Sequence, residues 1–566
     1  MKYKSKKFLL DLWQIFYYKL GVLISLSFCL VMLMIFSRSI FQGLMNYIES
    51  DNSVDFACVY KWIVLNLVVV LGVEGLWRLF DWLSLHYLPY IKQMIILRLT
   101  KQISTYKYEY FQSRLPNEIM QIIQQISDST YNIIENYLTI LRYAVTVICY
   151  FIFIYITNSL AAYIVLSWLC IWSICVYYVS IANTPKSMAL SLHRMKFFVK
   201  LTEFFSNIIS VWKNHTDMNY INKYATQYYK KRVEFRFHLW LWWCIQGIMF
   251  VFITYFISYF LYLEYIKGTL LVSNWTIIMY SIYDISHTLW DASDYILKLQ
   301  EDCGELEQSL QLINYPLQNN DKLPAIIITD GSISISDVII NINAQTFYFD
   351  KLNIMPNSTT AIVGKSGAGK TTLVEILLRL LDIQEGKIII DKQNIYEHSV
   401  ESLRAQISYI SQKSELFEDT IYNNLTYGVN NIEEVEVYRV AQIMYIHEKI
   451  LSLPNGYDTI LNDTTFSQGE RQRIVLARYI LQKPVIGILD EATSSLDNLM
   501  ERHVLQTIRS MIGTKIIIAH KLHNLIDMDM IVMIHEYKIV ASGTHDDLYK
   551  TNDVYRKMFL EEKYDS

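Results

Sequence analysis

Charge is scarce in this 566-residue sequence: Asp, Glu, Lys and Arg make up only 18% of it, where soluble domains carry about 25%. With 52% hydrophobic and 14% aromatic residues beside that deficit, a wholly soluble chain is excluded and part of it belongs in lipid. The net charge of −4 is too small to argue for or against nucleic acid as a partner. No CxxC or metal-ligand spacing occurs. The seven cysteines (29, 58, 149, 170, 175, 244, 303) all lie in the first 303 residues, mostly in apolar runs, and read as small buried hydrophobes. A cleavage site is also missing. Lys2, Lys4, Lys6 and Lys7 precede an apolar run from Leu20 to Phe41, which is too long for a signal-peptide core and reads as an uncleaved first membrane helix. At this length roughly two to four domains are expected.

Six apolar segments are long enough to cross a bilayer: 18–42, 60–88, 135–157, 159–182, 237–263 and 272–297, each close to or above the ~20 residues a span requires. Basic loops follow the second span (Lys92, Arg98, Lys101, Lys107, Arg114) and the fourth (Lys186, Arg194, Lys196, Lys200, Lys213). The first opposite loop carries Glu49, Asp51 and Asp55, with no Lys or Arg before Lys61. The positive-inside rule therefore puts the N-terminus, both long loops and the C-terminal half in the cytoplasm. Those loops have helical periodicity and few breakers, which predicts helices projecting far beyond the membrane.

Two sets of charges fall inside spans, where they are costly unless paired or functional. Glu74, Arg78 and Asp81 lie on one face of the second span, a pattern that favours an internal ion-pair network. Asp284, His287, Asp291 and Asp294 line one face of the sixth. That face, Asp284 and His287 above all, is a candidate substrate cavity for cationic or polar cargo. The competing reading has Asp291 and Asp294 beyond the membrane and simply solvated.

The second half is organised around Gly364-Lys365-Ser366-Gly367-Ala368-Gly369-Lys370-Thr371-Thr372, which fits G-x-x-x-x-G-K-[ST]. An apolar strand, 360–363, precedes it and a helical pattern, 373–381, follows it. In that context the glycines let successive N–H groups face phosphate oxygens at a helix N-terminus. Lys370 is placed to reach the β- and γ-phosphates, and the Thr371 hydroxyl to ligate Mg²⁺. About 120 residues on, the apolar run from Val485 to Leu489 ends in Asp490-Glu491. Asp490 is the candidate Mg²⁺ carboxylate and Glu491 the group that orients the attacking water.

Between them, Phe466-Ser467-Gln468-Gly469-Glu470 leads into Arg471-Gln472-Arg473. Here the chain resembles the ATP-binding cassette (ABC) family, whose signature reads L-S-G-G-Q. Tyr409-Ile410-Ser411-Gln412 is similar to that family's Q-loop, Ser494-Ser495-Leu496-Asp497 to its D-loop, and Ile517-Ile518-Ala519-His520 to its switch histidine. The six-span half is similar to the family's exporter branch. Glu203–Ile208, and more loosely Tyr110-Phe111, fall where such proteins place their coupling loops.

The resemblance implies ATP and Mg²⁺ as cofactors and a site shared between two cassettes. One would contribute Gly364–Thr372, with Gln412 and Asp490 as further Mg²⁺ ligands and Glu491, His520 and Gln412 as catalytic groups. The other would cap the γ-phosphate with Ser467 and Gly469. One chain carries one cassette, so a second half-transporter is expected, as a homodimer or a heterodimer. The signature departs from the family at Gln468 and Glu470 but keeps the serine and second glycine. Where the family places an adenine-stacking aromatic, this chain has Ile339, Ile340 and Ile342, leaving Phe347 or Tyr348 as candidates.

The expected fold is an all-α six-helix transmembrane domain (1–303), a linker (304–328) and an α/β P-loop nucleotide-binding domain (329–566). The expected function is an ATP-driven exporter of a lipid, drug or peptide-like substrate, in the bilayer of a bacterial plasma membrane, with no nucleic-acid partner. A lipid flippase is the alternative within transport, and an ATP-gated channel or regulator the alternative outside it. No cysteine-protease domain precedes the spans, which disfavours an exporter that cleaves its own peptide cargo.

Overall fold

A computed structural model describes residues 3–50, 55–114, 116–208, 219–313, 323–342, 345–412, 416–429, 431–462, 465–519 and 521–565. They group in two compact units, one built on the long N-terminal helices and the other on a sheet, with Lys107–Glu109 counted in the second.

The N-terminal helices are α1 (Tyr3–Ser50), α2 (Phe56–Ser104), α3 (Tyr108–Gln112), α4 (Pro116–Thr157), α5 (Ser159–Ser206), α6 (Asn219–Ile266) and α7 (Val272–Leu312), of which all but the start of α3 belong to the first unit. Six of these run 41 to 49 residues. At 1.5 Å per residue each is about 60–75 Å long, twice the ~30 Å of hydrocarbon. The expected long loops are therefore the ends of the helices themselves. Asn158 caps α5 by accepting from the Ala161 N–H, which lets α4 turn into α5 within one residue. Pro89 and Pro185 lie inside α2 and α5 without ending either helix.

Among the described residues, five helices are long and apolar enough to cross a membrane. The sixth expected span, in α7, is long enough but too polar to join them, because Asp284, His287, Asp291 and Asp294 lie along it. Glu74, Arg78 and Asp81 pair at 3.7 and 3.6 Å along α2, as expected.

The expected linker at 304–328 requires correction at both ends. Residues 304–312 continue α7, with Gly304, Glu305, Leu306, Glu307 and Ser309 buried. Their polarity is helix packing rather than chain exposure. Glu305 pairs with Arg194 on α5, and both Asp302 carboxylate oxygens accept from α4, at 3.1 Å from Asn132 and 2.9 Å from Asn136. At the other end, Ile326 and Ile328 are buried in the sheet unit. Their N–H groups donate to Ser402 Oγ and Gln406 Oε1.

The second unit is a ten-stranded sheet in the order β5-β4-β1-β2-β10-β9-β3-β8-β7-β6. The strands are β1 (Ile333–Ile342), β2 (Gln345–Ile354), β3 (Thr359–Val363), β4 (Glu385–Ile390), β5 (Gln393–Asn394), β6 (Ile407–Ile410), β7 (Ile486–Asp490), β8 (Thr514–Ile518), β9 (Met530–His535) and β10 (Lys538–Gly543). From β9 through β6 the pairings are parallel. β3, β7 and β8 are buried along their whole length, as both-face coverage by helices requires. The β5-β4-β1-β2 edge is antiparallel.

The helices of this unit are α8 (Lys370–Leu377), α9 (Val400–Gln406), α10 (Ile421–Thr426), α11 (Glu434–Ile443), α12 (His447–Leu451), α13 (Gln468–Gln482), α14 (Asn498–Ser510), α15 (His545–Thr551) and α16 (Asp553–Asp565). A half-buried carboxylate ties the antiparallel edge together. Asp391, after β4, accepts from the N–H groups of Thr329, Asp330, Gly331 and Ser332 at 2.8 to 3.0 Å. Burial opposes its charge, but those four donors hold its pKa down to about 2.

Candidate functional site

β3 ends at Val363 and the chain turns at once through Gly364–Gly369 into α8. Two glycines have no substitute there. A Cβ on Gly364 would stand 2.3 Å from the Ile534 carbonyl oxygen, and one on Gly369, whose φ is +106°, would stand 2.9 Å from the Phe347 ring. Lys370 folds back over the loop and donates to the Gly364 and Lys365 carbonyls at 2.8 and 3.3 Å. Burial pushes its pKa down, against the pull of Glu491 and Asp490. The ammonium is thus held in the loop by weak neutral acceptors that phosphate oxygens can displace.

The acidic side is built from the parallel strands. Asp490 closes β7 at 4% exposure. Burial raises its pKa and Glu491 adds to the rise, while the Thr371 and Tyr409 hydroxyls and Lys370 oppose it. A buried carboxylate bonded to the hydroxyl of Thr371 is an oxygen-donor arrangement of the kind Mg²⁺ takes together with phosphates. The residues present fit that ion. Glu491 sits at φ +52° with its N–H donating to Ile518 O at 2.9 Å. Gln412, just past β6, donates to Glu491 Oε2 at 2.5 Å. The structure therefore brings Lys370, Thr371, Asp490, Glu491 and Gln412 together at one end of the parallel strands. His520 lies outside the described residues.

Ser467 and Gly469 stand apart, at the start of α13. Ser467 is the N-cap of a capping box: its Oγ accepts from the Glu470 N–H, and the Glu470 carboxylate accepts from the Ser467 N–H at 2.8 Å and hydroxyl at 3.0 Å. Burial works against the Glu470 charge, but these contacts hold its pKa below the usual carboxylate range. A Cβ on Gly469 would come within 3.1 Å of Ser495 O, and the Ser495 N–H donates to Gln472. The signature and the Ser494–Asp497 turn therefore pack together. Among the described residues, no hydrogen bond joins Ser467 or Gly469 to their own chain's phosphate loop.

In the helical unit the expected acidic face is partly neutralised. Asp284 lies 3.3 Å from the Arg38 guanidinium of α1 and accepts the Tyr150 hydroxyl of α4 at 2.7 Å. Arg38 also donates to the Tyr280 hydroxyl at 2.8 Å. His287 is exposed and 3.5 Å from Asp291, and Asp294 accepts from Trp243 Nε1 at 2.8 Å. The partners Arg38 and Tyr150 carried no signal in the sequence, being 246 and 134 residues from Asp284. The aromatics expected near the base also differ from each other. Phe347 is buried against Gly369, while the Tyr348 hydroxyl reaches Asp337 at 3.3 Å.

With this geometry in place, residues 350–494 match the family described as ABC transporter. Curated relatives are similar over the C-terminal half. An Arabidopsis thaliana "ABC transporter B family member 24, mitochondrial" is 36% identical over 247 residues, covering 43% of this chain and 36% of the relative. An "Iron-sulfur clusters transporter ABCB7, mitochondrial" of Oryzias latipes is 36% identical, covering 42% and 33%. An "ATP-dependent lipid A-core flippase" of Syntrophus aciditrophicus (strain SB) is 38% identical, covering 42% of each. The chain thus spans about a third to two fifths of the curated relatives it matches.

A solved "bacterial Atm1-family ABC exporter with ATP bound" superposes with a TM-score of 0.86 at 20% identity, over 97% of this chain and 98% of that one. That likeness extends the fold, six long helices included, to the N-terminal half. Residues 350–494 therefore carry an ABC transporter cassette, and the chain as a whole has the half-size exporter fold, in which one such cassette follows six long helices.

Proposed function

We propose that this chain is one half of an ATP-driven exporter, which binds and hydrolyses ATP between two cassettes and alternates the access of a membrane cavity. The observation that carries the reading is the convergence of Lys370, Thr371, Asp490, Glu491 and Gln412 on the phosphate loop. On arrival of the triphosphate, Lys370 exchanges its two loop carbonyls for phosphate oxygens, and the loop N–H groups take the remaining charge. Thr371, Gln412 and Asp490 would hold Mg²⁺, which would supply neutralisation of the phosphate charge. Glu491, released from Gln412, accepts a proton from the attacking water, with His520 as the second catalytic group of that step. Ser467 and Gly469 of a second copy cap the site, which makes nucleotide binding a dimerisation step.

The cassette lies in the cytoplasm by the distribution of basic loops, and a bacterial plasma membrane suits the chain. For cargo, the names of the relatives span iron–sulfur clusters and lipid A-core. A lipid, drug or peptide-like molecule fits the polar face of α7. There His287 and Asp291 are the groups open to it, and Asp284 sets the geometry through Arg38.

The test is ATP turnover in nanodiscs with Glu491→Gln as control. That variant should retain ATP binding, accumulate a closed dimer and lose hydrolysis by about 10²-fold or more. Hydrolysis persisting in it would sink the assignment of Glu491. ATP turnover with no vesicle uptake of any lipid, peptide or drug would favour a gated channel.

A further inference from the structure

The hairpin between β9 and β10 has two loop residues, Glu536 and Tyr537, both with positive φ (+47° and +65°), between the paired residues His535 and Lys538. This is the tight turn in which Asn-Gly is favoured, because only small or Asx residues accept the left-handed conformation cheaply. A tyrosine at the second position is strained, and strain held in place by its surroundings points to a use for the side chain.

The surroundings say what that use is. The phosphate loop leaves the end of β3. Along the sheet to one side lie β8, β7 and β6, with Asp490, Glu491 and Gln412. To the other side lie β9, β10 and β2, with Tyr537 and Phe347. A triphosphate laid across the loop with its γ end at the carboxylates sends its base towards the second side.

There the Tyr537 ring packs edge-on to Phe347 with centroids 4.8 Å apart, and Phe347 in turn lies against Gly369 of the loop. Tyr537 is held in register because its carbonyl accepts the Tyr348 N–H at 2.9 Å. Phe347 is 6% exposed and offers no free face, whereas Tyr537 is only half-buried. The end of β1, at Ile340 and Ile342, offers aliphatic carbon only.

We propose that Tyr537, braced by Phe347, is the surface on which the base of the bound nucleotide stacks. The inference rests on the nucleotide reading above and assigns its base contact to the far hairpin rather than to the β1–β2 segment.

The test compares the affinity of ATP with that of inorganic tripolyphosphate, which fills the loop but has no base, on the full chain in nanodiscs. Tyr537→Gly suits the turn and should fold at least as well as the parent. It should weaken ATP about tenfold, in keeping with base–aromatic stacking elsewhere, and leave tripolyphosphate unchanged. Tyr537→Phe should bind ATP like the parent. Equal weakening of both ligands would mean that Tyr537 only shapes the loop, and unchanged ATP affinity in Tyr537→Gly would mean that it does not touch the base; either overturns the proposal. A parent chain that binds tripolyphosphate but not ATP overturns it too, whereas failure to bind either ligand strikes at the nucleotide reading itself.

Discussion

Glu470 stands where the family signature has a glutamine, and its carboxylate holds both the N–H and the hydroxyl of Ser467. If Ser467 caps a second copy's phosphate, that carboxylate is a like charge beside the incoming anion and a rival acceptor for the serine hydroxyl. Glu470→Gln keeps an acceptor for the Ser467 N–H and removes the charge. It should lower the KM for ATP roughly two- to fivefold, by an amount that shrinks as salt rises; an unchanged KM at low salt would place the phosphate elsewhere.

Asp391 tests stability at the same scale. Its folded pKa of about 2 lies below the ordinary ~3.9. Its contribution is therefore present above about pH 4 and disappears as the pH falls towards 2. Asp391→Ala leaves four backbone donors without their acceptor and should cost about 2 kcal/mol, water replacing part of the loss. Thermal unfolding at pH 7 checks it, and an unshifted midpoint would show that water serves those donors equally well.

At the scale of elements, the phosphate loop, the strand ending in Asp490-Glu491 and the signature were legible because each is local: a few consecutive residues set the backbone path and the chemistry together. What misread were the contacts made at a distance. The last turns of α7 looked like a linker because Asp302, Glu305 and their neighbours are polar, and their partners Asn132, Asn136 and Arg194 lie more than a hundred residues away. Asp284 looked like an open acidic site because nothing in the sequence announces Arg38. Tyr537 drew no notice because Glu-Tyr does not read as a tight turn.

The α4–α7 contact carries a prediction of its own. Burial, with help from Glu305 and Glu301 and against the amides of Asn132 and Asn136, raises the pKa of Asp302 to about 7. The folded state keeps a proton that the unfolded chain gives up near pH 4. This contribution is therefore complete below about pH 4 and is lost as the pH rises through 7. Asp302→Asn should shrink the drop in melting temperature between pH 6 and pH 8; an identical drop in the variant would mean that Asp302 stays ionised in the fold. Along the same helix, Asp284→Asn strands the Arg38 guanidinium and should lower the melting temperature more than the double change Arg38→Gln with Asp284→Asn does. A double variant no better than the single would argue against that pair.

For the whole molecule, the six long helices were foreseen as spans with projecting loops, and they proved to be single uninterrupted rods. α2, at 49 residues, is about 74 Å long, so less than half of it can lie in hydrocarbon. A rod held by the bilayer over its first part and carried on beyond it, with Ile91, Ile95 and Leu99 packed among neighbouring helices, behaves as a lever. A small tilt within the lipid becomes a sideways sweep of the far end in proportion to its distance from the pivot, and a push on the far end returns to the membrane with the same ratio. Such a device works only while the rod stays stiff. Its weakest places are then not the residues that touch nucleotide or cargo but the ordinary helical turns between them, where a pair of glycines would let the lever bend and spend the stroke on itself.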